Sequence, residues 1–329
     1  MASTIFVTGA TGQTGGNVCE QLIARGDHVR ALVRNPDEAT ALAGIGVELV
    51  KGDISDADDV AHAAKGAEAA IHCAALLGGA SQDLADFKAV NTVGTTNVLD
   101  AAKAHGMRRV VALSTATFLD LSTGLDFEDA PILQNPPNDP YTVTKLAAFL
   151  EAHRRAAAGD DVLTCHPGAI YGPGLVVERA LHRTSFNRVL LAGMRGKIKR
   201  YLAFPVTWVA GADVAKGSIA ALDQGAAGER YLLVGRPEDT FSTAGGINRA
   251  CEIAEIEHRV QDLDYRTDPE ALTAEFGPTL MAIAKAAAGS ARRTRTKDNL
   301  TTRRLGYAPM SFDDGLRLLI SWLRNLGKL

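Results

Sequence analysis

Short β-branched apolar runs alternate, through the first half of the chain, with segments whose apolar residues recur every three or four positions. The runs at 3–8, 28–33, 47–51, 69–73, 109–114, 162–166 and 230–234 read as strands. The segments 15–25, 56–65, 83–105, 141–158 and 212–223 carry the helical period. Such alternation is the signature of a parallel sheet covered by helices. Gly26, Gly66, Gly106 and Gly159 each sit just past a proposed helix end, where a left-handed cap favours glycine. Right-handed crossovers then order the strands 3-2-1-4-5-6-7. The fold class expected is α/β, a doubly wound parallel sheet.

The alternation lapses over 172–211 and 236–329 and resumes over 212–235. We therefore expect 1–171 with 212–235 to form the sheet domain, and 172–211 with 236–329 to form a smaller, discontinuous C-terminal domain. Thr117 to Pro140 is rich in Pro, Asp and Asn and reads as a loop between Thr115 and Tyr141. Loops of that length are more often functional than decorative. Pro269 to Ala288 is apolar, with Leu272, Phe276, Leu280 and Ile283 at near-helical spacing and a break at Gly277-Pro278. Its stripe reads either as core packing or as a lid over a lipophilic substrate.

Two motifs carry chemistry. Gly9, Thr11, Gly12, Gln13, Thr14 and Gly15 follow the apolar run Ile5-Phe6-Val7 and open a helical pattern. Strand, glycine turn and helix in that order form a dinucleotide-binding (Rossmann) context, with backbone N–H groups free to approach a pyrophosphate. Tyr141 and Lys145 lie four residues apart, on one face of a helix. A phenol beside an ammonium is a plausible proton donor and acceptor for a carbonyl/alcohol couple, because the positive charge favours the phenolate. Arg34 closes the second strand, where NAD-selective folds offer a carboxylate to the ribose 2′-hydroxyl. A guanidinium suits a 2′-phosphate instead, so NADP(H) is expected over NAD(H).

The chain resembles the extended short-chain dehydrogenase/reductases of the NAD-dependent epimerase/dehydratase superfamily. The likeness rests on Thr8 to Gly15, Gly52-Asp53-Ile54, Val90-Asn91 with Gly94-Thr95, Leu113-Ser114-Thr115, Tyr141/Lys145 and His166 to Gly174. Asp213-Val214-Ala215 and Leu305 to Pro309 are weaker echoes. The nearest branch contains dihydroflavonol-reductase-like, 3β-hydroxysteroid-dehydrogenase-like and hopanoid-associated epimerase-like proteins. The resemblance implies that Thr115, Tyr141 and Lys145 are catalytic, with Asn91 supporting the lysine. It places Asp53 and Ile54 at the adenine, and Ala74, Ala75, His166, Pro167, Gly168 and Ile170 along the cofactor. Asp53 reads equally well as a helix N-cap. Thr115 stands where the family commonly has serine, which leaves Ser114 as an alternative, and His166 replaces a frequent arginine. A homodimer built on helices 83–105 and 141–158 is also implied.

Composition narrows the partners. Of 329 residues, 46% are hydrophobic and the formal net charge is −3, so no nucleic-acid partner is indicated. No run is long and apolar enough to span a bilayer. The N-terminus lacks a signal-peptide pattern, and Cys19, Cys73, Cys165 and Cys251 are scattered, which together point to the cytoplasm. His153, His166 and His182 have no zinc-site spacing, and no metal is expected. The leading expectation is an NADP(H)-dependent oxidoreductase for small carbonyl or alcohol substrates. A nucleotide-sugar epimerase/dehydratase is the alternative, kept open by the cationic cluster Arg292, Arg293, Arg295, Lys297, Arg303 and Arg304. A non-catalytic NADP(H) sensor is a third reading, opposed by the retained Tyr141/Lys145 pair.

Overall fold

The computed structural model describes residues 2–81, 83–290 and 299–329. Strands β1 (Thr4–Thr8), β2 (His28–Val33), β3 (Glu48–Lys51), β4 (Ala69–His72), β5 (Val110–Leu113) and β6 (Val162–Pro167) lead the chain order. They are followed by β7 (Ala169–Tyr171), β8 (Arg200–Leu202), β9 (Val206–Ala210), β10 (Arg230–Leu233), β11 (Thr240–Phe241) and β12 (Gln261–Leu263). Seven of them form one parallel sheet in the order β3-β2-β1-β4-β5-β6-β10, the topology that the alternation predicts.

Period-two alternation along β1 feeds two cores. Ile5 and Val7 pack with Val18, Leu22 and Val214 on one face of the sheet. Phe6, between them, packs with Leu32, Val60 and Val98 on the other. Helices Gln13–Arg25 and Gly211–Gln224 cover the first face, and helices Ala57–Ala64 and Gly94–Ala104 the second.

Residues after Pro167 build a separate apolar cluster around Tyr171, Trp208, Ile247, Phe312 and Leu316. There β7, β9 and β11 form a three-stranded sheet, and β8 pairs with β12. These short strands and helices Phe186–Met194, Thr243–Ile253 and Phe312–Asn325 have no counterpart in the sequence reading. The C-terminal segment returns to the sheet, where the Leu232 backbone N–H donates to the Thr301 hydroxyl at 2.8 Å. The Asp213 carboxylate accepts from the Met310 backbone N–H at 2.9 Å, and the Tyr307 hydroxyl donates to the Val234 carbonyl at 3.1 Å.

The apolar stretch forms helix Pro269–Ser290, broken at Gly277, whose φ of +83° is left-handed. Leu272, Met281 and Ala284 are buried against Leu202, and Phe276 meets the Tyr201 ring edge-on. Its stripe packs a core, and Ile283 stays exposed. Among the described residues, no helix is long and apolar enough to cross a membrane.

Candidate active site

The glycine turn is fixed by contacts that exclude any side chain. Gly9 has φ +68°, and a Cβ there would lie 2.6 Å from the Ala74 backbone nitrogen. A Cβ on Gly15 would lie 2.2 Å from the Gly9 carbonyl oxygen. Gly12 caps helix Gln13–Arg25, and its N–H donates to the Gly9 carbonyl at 2.9 Å. The turn therefore presses against the end of β4 at Ala74, with Ala75 next in the chain and half-buried. Gln13 turns aside, donating its side-chain amide to the Gly172 carbonyl at 2.8 Å.

Tyr141 is the second residue of helix Pro140–Ala157, whose N-cap Asp139 accepts from the Thr142 N–H. Its phenol faces the Thr115 side chain, two residues past the end of β5. Burial raises the phenol pKa; the Thr115 contact opposes the rise and the Asp139 charge adds to it. Lys145 lies one turn on, 3% exposed, and its Nζ donates to the Leu113 carbonyl at 2.6 Å. Burial brings its pKa down to about 8, with Cys73 opposing. This differs from the sequence reading, in which the ammonium depresses the phenol. Lys145 Nζ is bonded to the Leu113 carbonyl, and the largest influence on the Tyr141 phenol is its own burial. Ser114, buried beside Thr115, has a hydroxyl with no partner among the described residues.

Behind these groups runs a buried polar chain that the sequence reading missed. The Thr8 hydroxyl meets His72 Nδ1 at 2.7 Å, and His72 Nε2 meets the Thr95 hydroxyl at 2.9 Å. Thr95 donates to the Asn91 carbonyl, so it accepts from His72, which sets the Nε2–H tautomer. The Asn91 side chain accepts from the Leu76 N–H at 2.7 Å and donates to the Leu76 carbonyl and the Thr144 hydroxyl. Thr144 donates to the Pro140 carbonyl at 2.7 Å. Asn91 lies in a π-helical segment, Lys88–Val93, set into the long helix expected over 83–105. Wide turns of this kind favour functional sites. The Asn91 side chain clamps the strand exit at Leu76 to the Tyr141 helix at Thr144, the residue before Lys145. Burial holds His72 near a pKa of about 3, so its ring is neutral.

A family model for the NAD dependent epimerase/dehydratase family matches residues 5–234. The chain belongs to that family. Sterol demethylase protein B of Methylococcus capsulatus is 32% identical over 70% of this chain and 70% of its own. A 4-hydroxy-2-methyl-3-oxo-4-farnesyl-3,4-dihydroquinoline-1-oxide ketoreductase of Stigmatella aurantiaca is 29% identical over 69% and 67%. A nucleoside-diphosphate-sugar epimerase of Pseudomonas aeruginosa shares the fold across 100% of both chains, with a TM-score of 0.78 at 22% identity. Family and relatives together make this an NAD(P)-dependent oxidoreductase/epimerase-type enzyme.

Against that epimerase/dehydratase frame, the remaining expected contacts divide. Thr11 and Arg34 line one cleft beside the turn. Thr14, in the first turn of the helix, is half-buried. Asp53 is no N-cap: Asp56 caps helix Ala57–Ala64, while Asp53 accepts from the Ser55 N–H and hydroxyl. Those bonds, aided by the Arg34 charge, hold its carboxyl below the usual range. Ile54 is buried against Gly94. His166 does not line the cleft. It is fully buried among Phe118, Phe127 and Phe149, and its nitrogens meet the Thr115 carbonyl at 2.8 Å and the Thr164 hydroxyl at 3.0 Å. Strand alternation turns it inward, leaving neither nitrogen for a cofactor. Pro167, Gly168 and Ile170 are half-buried, and a Cβ on Gly168 would strike the Thr207 carbonyl.

Proposed function

We propose that the protein is an NADP(H)-dependent oxidoreductase interconverting a ketone or aldehyde and an alcohol, with Thr115, Tyr141 and Lys145 as its catalytic set. The observation that carries this reading is the meeting of the Thr115 and Tyr141 side chains one helical turn from a buried lysine. Gly9 and Gly15 leave no room for a Cβ, so the turn exposes bare backbone, and this fits a dinucleotide pyrophosphate. The unpartnered Ser114 hydroxyl fits a polar group brought in from outside the chain. A bound nicotinamide supplies or accepts the hydride.

Thr115 donates a hydrogen bond to the substrate oxygen and orients the carbonyl. Tyr141, kept protonated near neutrality by burial, gives its proton to the oxygen as alkoxide character develops. Lys145 would hold the nicotinamide ribose through its ammonium. Asn91 holds the helix that carries both groups, and His166 holds the Thr115 backbone. The relatives named for a ketoreductase and a sterol demethylase protein support an apolar carbonyl substrate.

The nucleotide-sugar reading loses some of its cations. Arg303 pairs with Glu128 at 3.2 Å and Arg304 with Glu229 at 2.9 Å. Arg292, Arg293, Arg295 and Lys297 lie outside the described residues. The deciding experiment follows NADPH consumption across apolar ketones, aldehydes and sterols, beside a thermal-shift screen of UDP- and GDP-sugars. Turnover on the carbonyl panel is expected. Stabilisation by nucleotide sugars without carbonyl turnover would overturn the proposal.

A further inference from the structure

A cleft of about 520 Å³ opens beside the glycine turn, lined by Thr11, Arg34, Asn35, Glu38, Glu178 and Arg179 among others. Arg34 comes from the end of β2 and makes no ion pair within 4 Å among the described residues. Arg179 comes from far along the chain, in the short helix Val177–Ala180. That segment is tied to the turn's own helix. Gln13 donates to the Gly172 carbonyl, and Asn17 donates to the Pro173 carbonyl at 3.2 Å. A Cβ on Gly174 would lie 2.6 Å from the Ala180 methyl, so the backbone that carries Arg179 is closely packed.

The Arg179 side chain is held only loosely. Its guanidinium lies 3.9 Å from the Glu38 carboxylate, with side-chain exposures of 44% and 67%. Solvent screening leaves such a pair little net strength. Glu38 has a second partner, the Asn35 side-chain amide, at 3.0 Å. Arg179 can therefore leave Glu38 without stranding a buried charge. The charge balance of the cleft also turns on this residue. Arg34 and Arg179 offset Glu38 and Glu178, and without Arg179 the carboxylates outnumber the guanidiniums. A phosphate would then meet net repulsion.

We propose that Arg179 is a second 2′-phosphate-binding residue, which with Arg34 forms a two-sided clamp on the adenosine end of NADP(H). The proposal rests on the dinucleotide reading of the turn and on Arg34 as the first phosphate partner. On binding, Arg179 exchanges the Glu38 carboxylate for a phosphate dianion, a stronger partner that a planar guanidinium can grip with two N–H groups. A ribose bearing a free 2′-hydroxyl offers no such exchange, so Arg179 acts on cofactor choice and not on dinucleotide binding at large.

The test measures dissociation constants of NADPH, NADH and 2′,5′-ADP for the full-length wild type, Arg179→Ala and Arg34→Ala. Arg179→Ala should weaken NADPH and 2′,5′-ADP by roughly tenfold or more, the usual worth of a charge-assisted contact. NADH affinity should stay within about twofold of wild type, since no charged contact to it is removed. If Arg179→Ala changes NADPH and NADH equally, or neither, while Arg34→Ala remains selective, Arg179 is no part of the clamp and the Arg34 reading survives. If neither variant alters the NADPH-to-NADH ratio, the NADP(H) reading itself falls. Arg179 is solvent-facing, so circular dichroism should show both variants folded as wild type.

Discussion

Asn91 and Thr144 meet inside the protein, side-chain amide to hydroxyl, at 3.1 Å. Through that contact the strand exit at Leu76 is fastened to the helix that presents Tyr141. Asn91 is fully buried, and truncating it would orphan the Leu76 N–H and carbonyl together. Asn91→Leu should lower unfolding stability by about 1–3 kcal/mol for each buried group left unpaired. Urea denaturation measures this, and an unchanged midpoint would show that water or a shifted backbone replaces the clamp.

Tyr141→Phe removes one hydroxyl and keeps the ring. Cofactor affinity should survive while turnover falls roughly 10²–10⁴-fold, the worth of a positioned proton donor. Thr115→Ser should be tolerated and Thr115→Val should not, because the proposed mechanism uses only the hydroxyl. Near wild-type turnover in Tyr141→Phe, with the chemical step limiting, would remove Tyr141 from the mechanism.

Lys145 sets a pH dependence whose sign follows from its lowered pKa of about 8. In the folded protein the ammonium is lost as pH rises through that value, well before an unfolded lysine loses its own. NADPH affinity of the free enzyme should therefore decline above about pH 8. Stability moves the other way. The buried charge destabilises the fold below its folded pKa, and the penalty fades as pH climbs from there toward the ordinary lysine value. Lys145→Met should be more stable than wild type at neutral pH, with the gap narrowing in alkali. A gap independent of pH, followed by thermal melts across that range, would contradict this assignment.

Association should use the long helices on the second face of the sheet. Val93 and Leu150 are large apolar side chains left 44% and 49% exposed there. Sedimentation should report a dimer at micromolar concentration and a monomer for Leu150→Glu. A monomeric wild type would dismiss the contact.

The sheet was legible because its signals are local. β-branched runs, helical periods and glycine caps recur at each crossover, and every strand of the large sheet lies within one or two residues of its expected span. The second half was not, since β7, β8, β9, β11 and β12 are two to five residues long and their partners lie far away in sequence. Such pairings leave no periodicity to read. At the site, the positions of Gly9, Gly15, Tyr141 and Lys145 came from motif spacing. The roles of His72, Thr8 and Thr144 depend on which side chains meet in the interior. His166 shows the same limit, since spacing sets it beside Pro167 but not in a cage of three phenylalanines.

The Gln13 and Asn17 contacts to the Gly172 and Pro173 carbonyls bear on how this protein could be recombined with its relatives. Both donors belong to the first helix of the chain, and both acceptors open the segment that leads into the smaller sheet. A chimera that exchanged the chain from residue 172 onward would cut across this seam and rely on a foreign backbone to receive two amides. A junction after Gly174 keeps the seam with its owner. The natural unit of exchange is thus shorter than the break in strand–helix alternation suggests, and grafts made at the two points should differ in soluble yield.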